Sequence, residues 1–393
     1  MNKTDRWLLP EGIEEVLPEQ AKRLEQLRRT LLDNYENWGY DLVIPPFIEY
    51  LESLLTGTGN DLDLQTFKLT DQLTGRLMGI RADMTPQVAR IDAHQLKQDT
   101  PTRLCYIGTV LHTRTDGFAG SRSPLQVGAE LYGHAGIESD VEIISLMLET
   151  LALSGIEAPF IDLGHVGIYR QLVKQAGLNQ EQEATLFDSL QRKANTEITE
   201  YLSEWKLDKN IANAISVLTS LNGDESTLEK AKAEFKQMDK AVQNALAELT
   251  NIAALLKQRI PNLNIHYDLA ELRGYHYHTG TVFAAYVAGQ GQAVAQGGRY
   301  NDIGEVFGRA RPATGFSTDL KTLLSLSTHK NNHLAAIYAP ADNDPTLHAA
   351  ISALRQKGEK VIGALPGQMG TAKDMNCDRE LVKVDSDWLV KEL

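Results

Sequence analysis

On the stretch LQVGAELY, residues 125–132, Gln126, Gly128, Glu130 and Tyr132 share one face of a period-two strand, while Leu125, Val127, Ala129 and Leu131 share the other. An amide, a gap without a side chain and a carboxylate in a row make a poor core face. They make a good floor for a small polar ligand, with Gly128 admitting it close to the backbone. The competing reading is a hairpin with one face in water. Three other segments carry matching side chains. In GIRADMTPQ, Arg81 and Asp83 share a strand face and Thr85 presents a hydroxyl at a helix start. A carboxylate beside a hydroxyl suits an ammonium group, unless Asp83 pairs with Arg81 and Thr85 only caps. In ELRGYHYHTGTVF, Arg273 precedes Gly274 and the run Tyr275, His276, Tyr277, His278. An arginine fork can hold a carboxylate with two bonds, and Tyr and His can bracket a flat polar ring. No carboxylate cluster accompanies these histidines, so no metal site is expected. In QGGRYNDIG the double glycine permits close backbone approach, and Arg299 is either a ligand contact or a packing bridge.

The elements that must position these residues follow from periodicity. Residues 19–38 form an amphipathic helix, with Ala21, Leu24, Leu27, Leu31, Tyr35 and Trp38 at spacings of three and four and Gly39 as the stop. YDLVIPPFIEY is extended and broken by Pro45 and Pro46. A strand from near Arg76 leads to Asp83; Thr85-Pro86 then reads as an N-cap with Pro at the first helical position of a helix carrying Val88, Ile91 and Leu96. A hairpin over 104–133 follows, then a helix capped by Ser139 with Ile144, Met147, Leu148 and Leu151 buried. From about 165 to 262 strand signals vanish and helices rich in Glu, Lys, Gln and Ala succeed one another, with breaks at Gly177 and Asn222-Gly223. This is expected to be a helical insertion. Strands resume at IHYDLA, in the 273–286 stretch and at AVAQGGRY, and ATGFSTDLKTLLSL reads as a strand running into a helix. Residues 330–393 form a short βαβ-like unit. Antiparallel strands, flanking helices, an insertion and a small α/β tail make the chain an α+β protein with a main domain over 1–325.

Composition sets the remaining bounds. The 393 residues carry 39 basic and 52 acidic side chains, a formal charge of −13, with no long Lys/Arg run. Phosphate neutralisation dominates nucleic-acid affinity, so no nucleic-acid partner is expected. Cys105 and Cys377, the two cysteines, lie far apart and indicate neither a disulfide framework nor a cysteine-rich metal site. With no apolar leader and no membrane-length stretch, a cytoplasmic location is expected.

Taken together, these segments resemble histidyl-tRNA synthetase, a class II aminoacyl-tRNA synthetase, from about residue 8 to 326. GYDLVIPPF is similar to the first class II motif, with Pro46 at the motif's proline and hence at a dimer interface. Residues 104–133 are similar to motif 2, GRARPATGFSTDLKTL to motif 3, and ELRGYHYHTGTVF to the histidine-binding signature. The resemblance implies a class II synthetase-like antiparallel sheet flanked by helices. It also implies that Asp83, Thr85, Gln126, Glu130, Arg273, Tyr277 and His278 form a histidine site. Asp83 stands for a glutamate and His278 for a second tyrosine.

The departures point elsewhere than aminoacylation. Leu111 and Thr113 fall where motif 2 has an arginine and a glutamate, and Asp319 and Thr322 where motif 3 has a glycine and an arginine. In the synthetase those arginines hold ATP phosphates, and one such donor is worth about 3–4 kcal/mol to the reaction. Losing both implies a rate loss on the order of 10⁴-fold. Arg114 and Arg122 on the motif 2 loop stay within reach of a phosphate. Residues 330–393 replace a full anticodon-binding domain. A chain of this kind resembles the regulatory subunits of ATP phosphoribosyltransferase. That resemblance implies no catalytic residue or cofactor of its own. It implies a short-form catalytic subunit as partner in a hetero-octamer, self-association as a dimer, and L-histidine as effector in feedback control of histidine biosynthesis. The competing readings are an adenylate-forming synthetase paralogue and a histidine sensor for another partner.

Overall fold

The computed structural model describes residues 7–56, 60–115, 120–272, 274–275, 277–329 and 336–393, with only the backbone at 60 and 61. The chain divides into two compact units, 1–329 and 330–393.

In the first unit the strands are β1 (Asp41–Leu42), β2 (Ile48–Tyr50), β3 (Phe67–Thr70), β4 (Leu77–Ile80), β5 (Thr102–Thr109), β6 (Leu125–Tyr132), β7 (Phe160–His165), β8 (Asn222–Gly223), β9 (Asn264–Asp268), β10 (Thr281–Tyr286), β11 (Ala295–Arg299) and β12 (Ala313–Asp319). Nine of them form one sheet in the order β1-β5-β6-β12-β11-β10-β7-β9-β8. The sheet is antiparallel except for β1 beside β5 and β7 beside β9. It is therefore mixed rather than purely antiparallel. A second sheet, β2-β4-β3, flanks it. The segment around Pro45-Pro46 passes between the two sheets, because proline cannot continue a ladder. Its carbonyls are pinned at Pro45 by Arg81 Nη1 (2.7 Å) and at Pro46 by Gln87 Nε2 (2.8 Å).

The inward face of β6 carries Val127, Ala129 and Leu131 into a core shared with helices Pro18–Asn37 and Ile137–Leu153. Tyr35, fully buried, packs edge-on against Phe316 and bonds Thr150 at 3.0 Å, which joins both helices to β12. The opposite face of the same strands is the site face. Six α-helices between Val166 and Arg259 form the insertion and bury their own apolar stripes, including Leu172, Leu190, Ile215, Leu249 and Leu256.

Some expectations need correction. Ser139 lies inside its helix, whose cap is Gly136; its hydroxyl is drawn to the Gly136 carbonyl at 2.7 Å and accepts from Arg299. Thr85 is likewise helical: the N-cap position falls one residue earlier, on Met84, and the Asp83 carboxylate, two residues before Thr85, accepts the Thr85 N–H at 3.0 Å. That helix continues over Ile91–Leu96 with wider, π-type turns, and Leu96 ends 40% exposed rather than in the core. Asn222-Gly223 is a break in the helices, but it also supplies the edge strand β8.

In the second unit, β13 (Ala336–Ala339), helix Pro345–Gln356 and β14 (Lys360–Gly363) make a parallel βαβ core. The hairpin β15 (Arg379–Val384) and β16 (Asp387–Glu392) extends it to a four-stranded sheet, β14-β13-β15-β16. Asp344 caps the helix and pairs with Lys383 at 2.7 Å, tying the hairpin to the helix start.

Candidate functional site

The site face of β6 is built as its alternation predicts, but Gly128 has a different task. Tyr106 on β5 lies directly across from Gly128, and a Cβ there would strike the Tyr106 ring and the Phe316 carbonyl. The glycine thus admits a tyrosine of the protein rather than a ligand. That tyrosine donates to Glu130 Oε1 at 2.9 Å and shares a 3.0 Å hydroxyl bond with Thr85. Tyr300, at the end of β11, donates to the other oxygen, Glu130 Oε2. Gly315 on β12 faces this carboxylate; a Cβ would occupy the position of Oε2.

Glu130 is 1% exposed, and among the described residues no cation bonds it. Burial pushes its carboxyl up to about 8, against the opposing pull of the Tyr300 and Tyr106 hydroxyls. A base or cation brought into the cavity would restore the charged form.

Asp83 and Gln126 form the next station. Gln126 Nε2 donates to Asp83 Oδ1 at 2.7 Å, and Gln126 Oε1 accepts the Met84 N–H at 2.9 Å. Both bonds to Asp83 fall on Oδ1, which leaves Oδ2 for a ligand. Arg81 is not its partner: that guanidinium is committed to the Thr109 and Pro45 carbonyls. Tyr277 stacks on Tyr300 with centroids 4.9 Å apart, and its buried hydroxyl has no hydrogen-bond partner among the described residues. His278 crosses Tyr277 edge-on at 5.2 Å; burial pushes its imidazole down to about 4, so the ring is neutral. Arg273 lies outside the described residues. The remaining six expected residues thus converge, and Asp83, Thr85, Glu130, Tyr277 and His278 line a cavity of about 180 Å³. A void of about 150 Å³ already accepts a benzene-sized ligand.

Sequence reasoning passed over Tyr106, Tyr300, Asp162 and Glu271, the last two lining the far end of the cavity. A tyrosine placed opposite a glycine across a hairpin was the available signal for Tyr106. Arg299 is a packing bridge. It holds Asp140 through Nε (3.1 Å) and Nη2 (2.8 Å) and bonds the His134 and Gly136 carbonyls.

A second cavity of about 590 Å³ adjoins the first and shares Asp83, Gln296 and Ser317 with it. Asp319 and Thr322 line it, and no Lys or Arg does among the described residues. Arg122 is spent on the His112 and Glu11 carbonyls and the Phe67 ring, and Arg114 points to solvent.

This fold has known counterparts. The histidyl-tRNA synthetase of Nostoc sp. PCC 7120 superimposes with a TM-score of 0.77 at 18% identity, over 96% of this chain and 91% of that one. The histidyl-tRNA synthetase family model matches residues 12–323, so the first unit is a class II synthetase-like body. The model described as ATP phosphoribosyltransferase subunit HisZ C-terminal domain matches residues 334–391. A Bacillus halodurans structure described as an ATP phosphoribosyltransferase regulatory subunit/histidyl-tRNA synthetase superimposes with a TM-score of 0.82 at 28% identity, covering 95% of this chain and 97% of that one. The ATP phosphoribosyltransferase regulatory subunit of Thioalkalivibrio sulfidiphilus is 60% identical over 398 residues, spanning all of both chains. That of Alkalilimnicola ehrlichii is 54% identical over all of this chain and 98% of its own. The chain belongs to the family of ATP phosphoribosyltransferase regulatory subunits.

Proposed function

We propose that this chain is the non-catalytic regulatory subunit that activates a short-form ATP phosphoribosyltransferase catalytic subunit and reports L-histidine to it. The observation that carries the histidine assignment is Glu130. It is a fully buried carboxyl between two tyrosine donors, facing a cavity that also holds the unpaired Tyr277 hydroxyl. An imidazole can donate one N–H to Glu130 and meet the Tyr277 hydroxyl with the other nitrogen. Asp83 Oδ2 and the Thr85 hydroxyl suit the α-ammonium group, and Arg273 is assigned to the carboxylate.

Adenylate formation needs cations at the phosphates. The adjoining cavity offers Asp319 and Thr322 instead, which supports binding without chemistry. Calorimetry with L-histidine tests the site, and histidine-dependent ATP–pyrophosphate exchange tests the enzyme reading. Heat without exchange is expected; measurable exchange would restore the synthetase-like alternative.

The partner reading is tested by mixing the chain with a short-form catalytic subunit. Co-elution at the size of a hetero-octamer and a raised turnover are expected. A dimer within that assembly would use the segment around Pro46, where Leu42, Ile44, Phe47 and Ile48 are exposed. Phe47→Asp should therefore reduce the complex in light scattering more than deletion of 330–393. No helix of the described residues is long and apolar enough to cross a membrane, in keeping with a cytoplasmic assembly.

A further inference from the structure

The wall of the Glu130 cavity that carries Tyr277 and His278 is held from outside the sheet, by the helical insertion. Arg170, on helix Val166–Ala176, sends one nitrogen to two carbonyls of this wall, Tyr275 at 2.8 Å and His278 at 2.9 Å. Its guanidinium also lies over the Tyr275 ring, 4.9 Å from the centroid. The Tyr275 hydroxyl donates to Glu183 on helix Gln180–Gln191, and the Tyr275 ring rests against Tyr169 and Phe187 of the same two helices. The Tyr169 hydroxyl donates to the Glu183 carbonyl at 3.1 Å, which locks those helices together at this point. On the cavity side, the N–H groups of Tyr277 and His278 both reach the Gly274 carbonyl at 2.8 Å. Tyr275 and Tyr277 therefore belong to one tight turn, with Tyr275 facing the insertion and Tyr277 facing Tyr300 and Glu130.

We propose that Arg170 is a positioning residue of the histidine site, and that the Tyr275–Glu183 contact passes occupancy of that site to helix Gln180–Gln191. The inference rests on the histidine reading. A ligand that engages the Tyr277 hydroxyl fixes the turn. A fixed turn holds Tyr275 against Glu183 and lowers the frequency with which the two helices open. Arg170 supplies the preorganisation: without it the turn must be ordered by the ligand at the expense of affinity.

Hydrogen–deuterium exchange on the full chain, with and without saturating L-histidine, tests this alongside calorimetry. In the unmodified chain histidine should slow amide exchange over 180–191. Arg170→Met should weaken histidine binding about tenfold or more, and Arg170→Lys, which keeps a donor but not the planar stack, should recover part of the loss. Tyr275→Phe should leave histidine affinity within about threefold, since the hydroxyl it removes faces Glu183 and not the cavity, yet abolish the ligand-dependent protection of 180–191. Retained protection in Tyr275→Phe, or wild-type affinity in Arg170→Met, overturns the proposal. Should Arg170→Met fail to fold, the Arg170→Lys and Tyr275→Phe results decide alone. An unmodified chain that gives no calorimetric heat with histidine sinks the site reading itself, and this inference with it.

Discussion

The two adjoining cavities lie on the same sheet face and share three residues, yet they are finished in opposite ways. Around Glu130 the protein leaves capacity unused: Asp83 Oδ2, the Tyr277 hydroxyl and a carboxyl that burial holds near 8. Around Asp319 that carboxylate is consumed by the protein itself. It accepts the N–H groups of Leu125 (2.9 Å), Lys321 (3.2 Å) and Thr322 (3.2 Å), and the Thr322 hydroxyl at 2.8 Å. Buried polar atoms without partners cost free energy, so a fold retains them where a ligand compensates. A carboxylate with four internal donors has no such need. The difference sets a cavity with polar capacity to spare beside one whose carboxylate is already satisfied by the protein.

The sharpest way to break this contrast is to remove the guest's acceptor. Glu130→Ala should weaken L-histidine binding by more than about 2 kcal/mol, roughly 30-fold or more, because an imidazole N–H would enter the cavity without a partner. Calorimetry at neutral pH reads it, with circular dichroism to check the fold. An affinity within twofold of the parent would make Glu130 a structural carboxyl.

Proton linkage gives the next effect. With Glu130 near 8 and a free imidazole near about 6.5, the complex shares one proton between carboxyl and ring. Between those values the empty site already holds that proton, so affinity should be level. Above about pH 8 binding must take a proton from solvent and should weaken by about tenfold per pH unit. Stability of the empty chain follows the same group. Because folding raises the carboxyl from 4.5 to about 8, its contribution is complete below 4.5 and is lost as pH rises through 8. Glu130→Gln should therefore flatten the upper limb of the binding profile. It should also raise the melting temperature of the ligand-free chain by a few degrees at pH 9 relative to pH 5. An unchanged upper limb would assign the linkage to another group.

Tyr277→Phe sharpens the same half of the comparison. Its ring stack on Tyr300 survives the change, so only the unpaired hydroxyl is lost. Histidine affinity should fall by about 0.5–1.5 kcal/mol, up to roughly tenfold. A smaller change would mean that the hydroxyl does not meet the ligand.

Much of this arrangement was legible in the chain because its signals are local. The period-two alternation of 125–132 put Gln126 and Glu130 on one face, and Thr85-Pro86 marked a helix start to within one residue. What stayed hidden depends on partners distant in sequence. Arg299 could be read as ligand contact or bridge until Asp140 and the 134–136 carbonyls were seen around it. Gly128 was read as ligand space because nothing local says that Tyr106 fills it. The roles of Arg170 and Glu183 depend on the turn at 274–278, roughly a hundred residues away, and no periodicity announces such a contact. Motif resemblance supplied the histidine assignment; the burial that shifts Glu130, and the two tyrosines that bond it, came only from tertiary packing.

The smallest effect expected on binding tests the other half of the comparison. Asp319→Gly removes a carboxylate that caps helix Leu320–Leu326 and also bonds the Leu125 N–H at the start of β6. Replacing an N-cap Asp by Gly costs only about a few tenths of a kcal/mol, and losing the Leu125 N–H bond adds about 0.5–1.5 kcal/mol, so the melting temperature should drop. The Glu130 cavity, however, is lined by Gly315, Phe316 and Ser317 of the same strand and not by Asp319. Histidine affinity should therefore stay within about twofold, well inside the 1.4 kcal/mol that a tenfold change represents. Pyrophosphate exchange should remain undetectable, because deleting an anion places no cation where phosphates would lie. Parallel loss of stability and affinity would show that the two cavities act as one site. Exchange activity appearing in Asp319→Gly would locate the block to chemistry in a single carboxylate rather than in the missing cations.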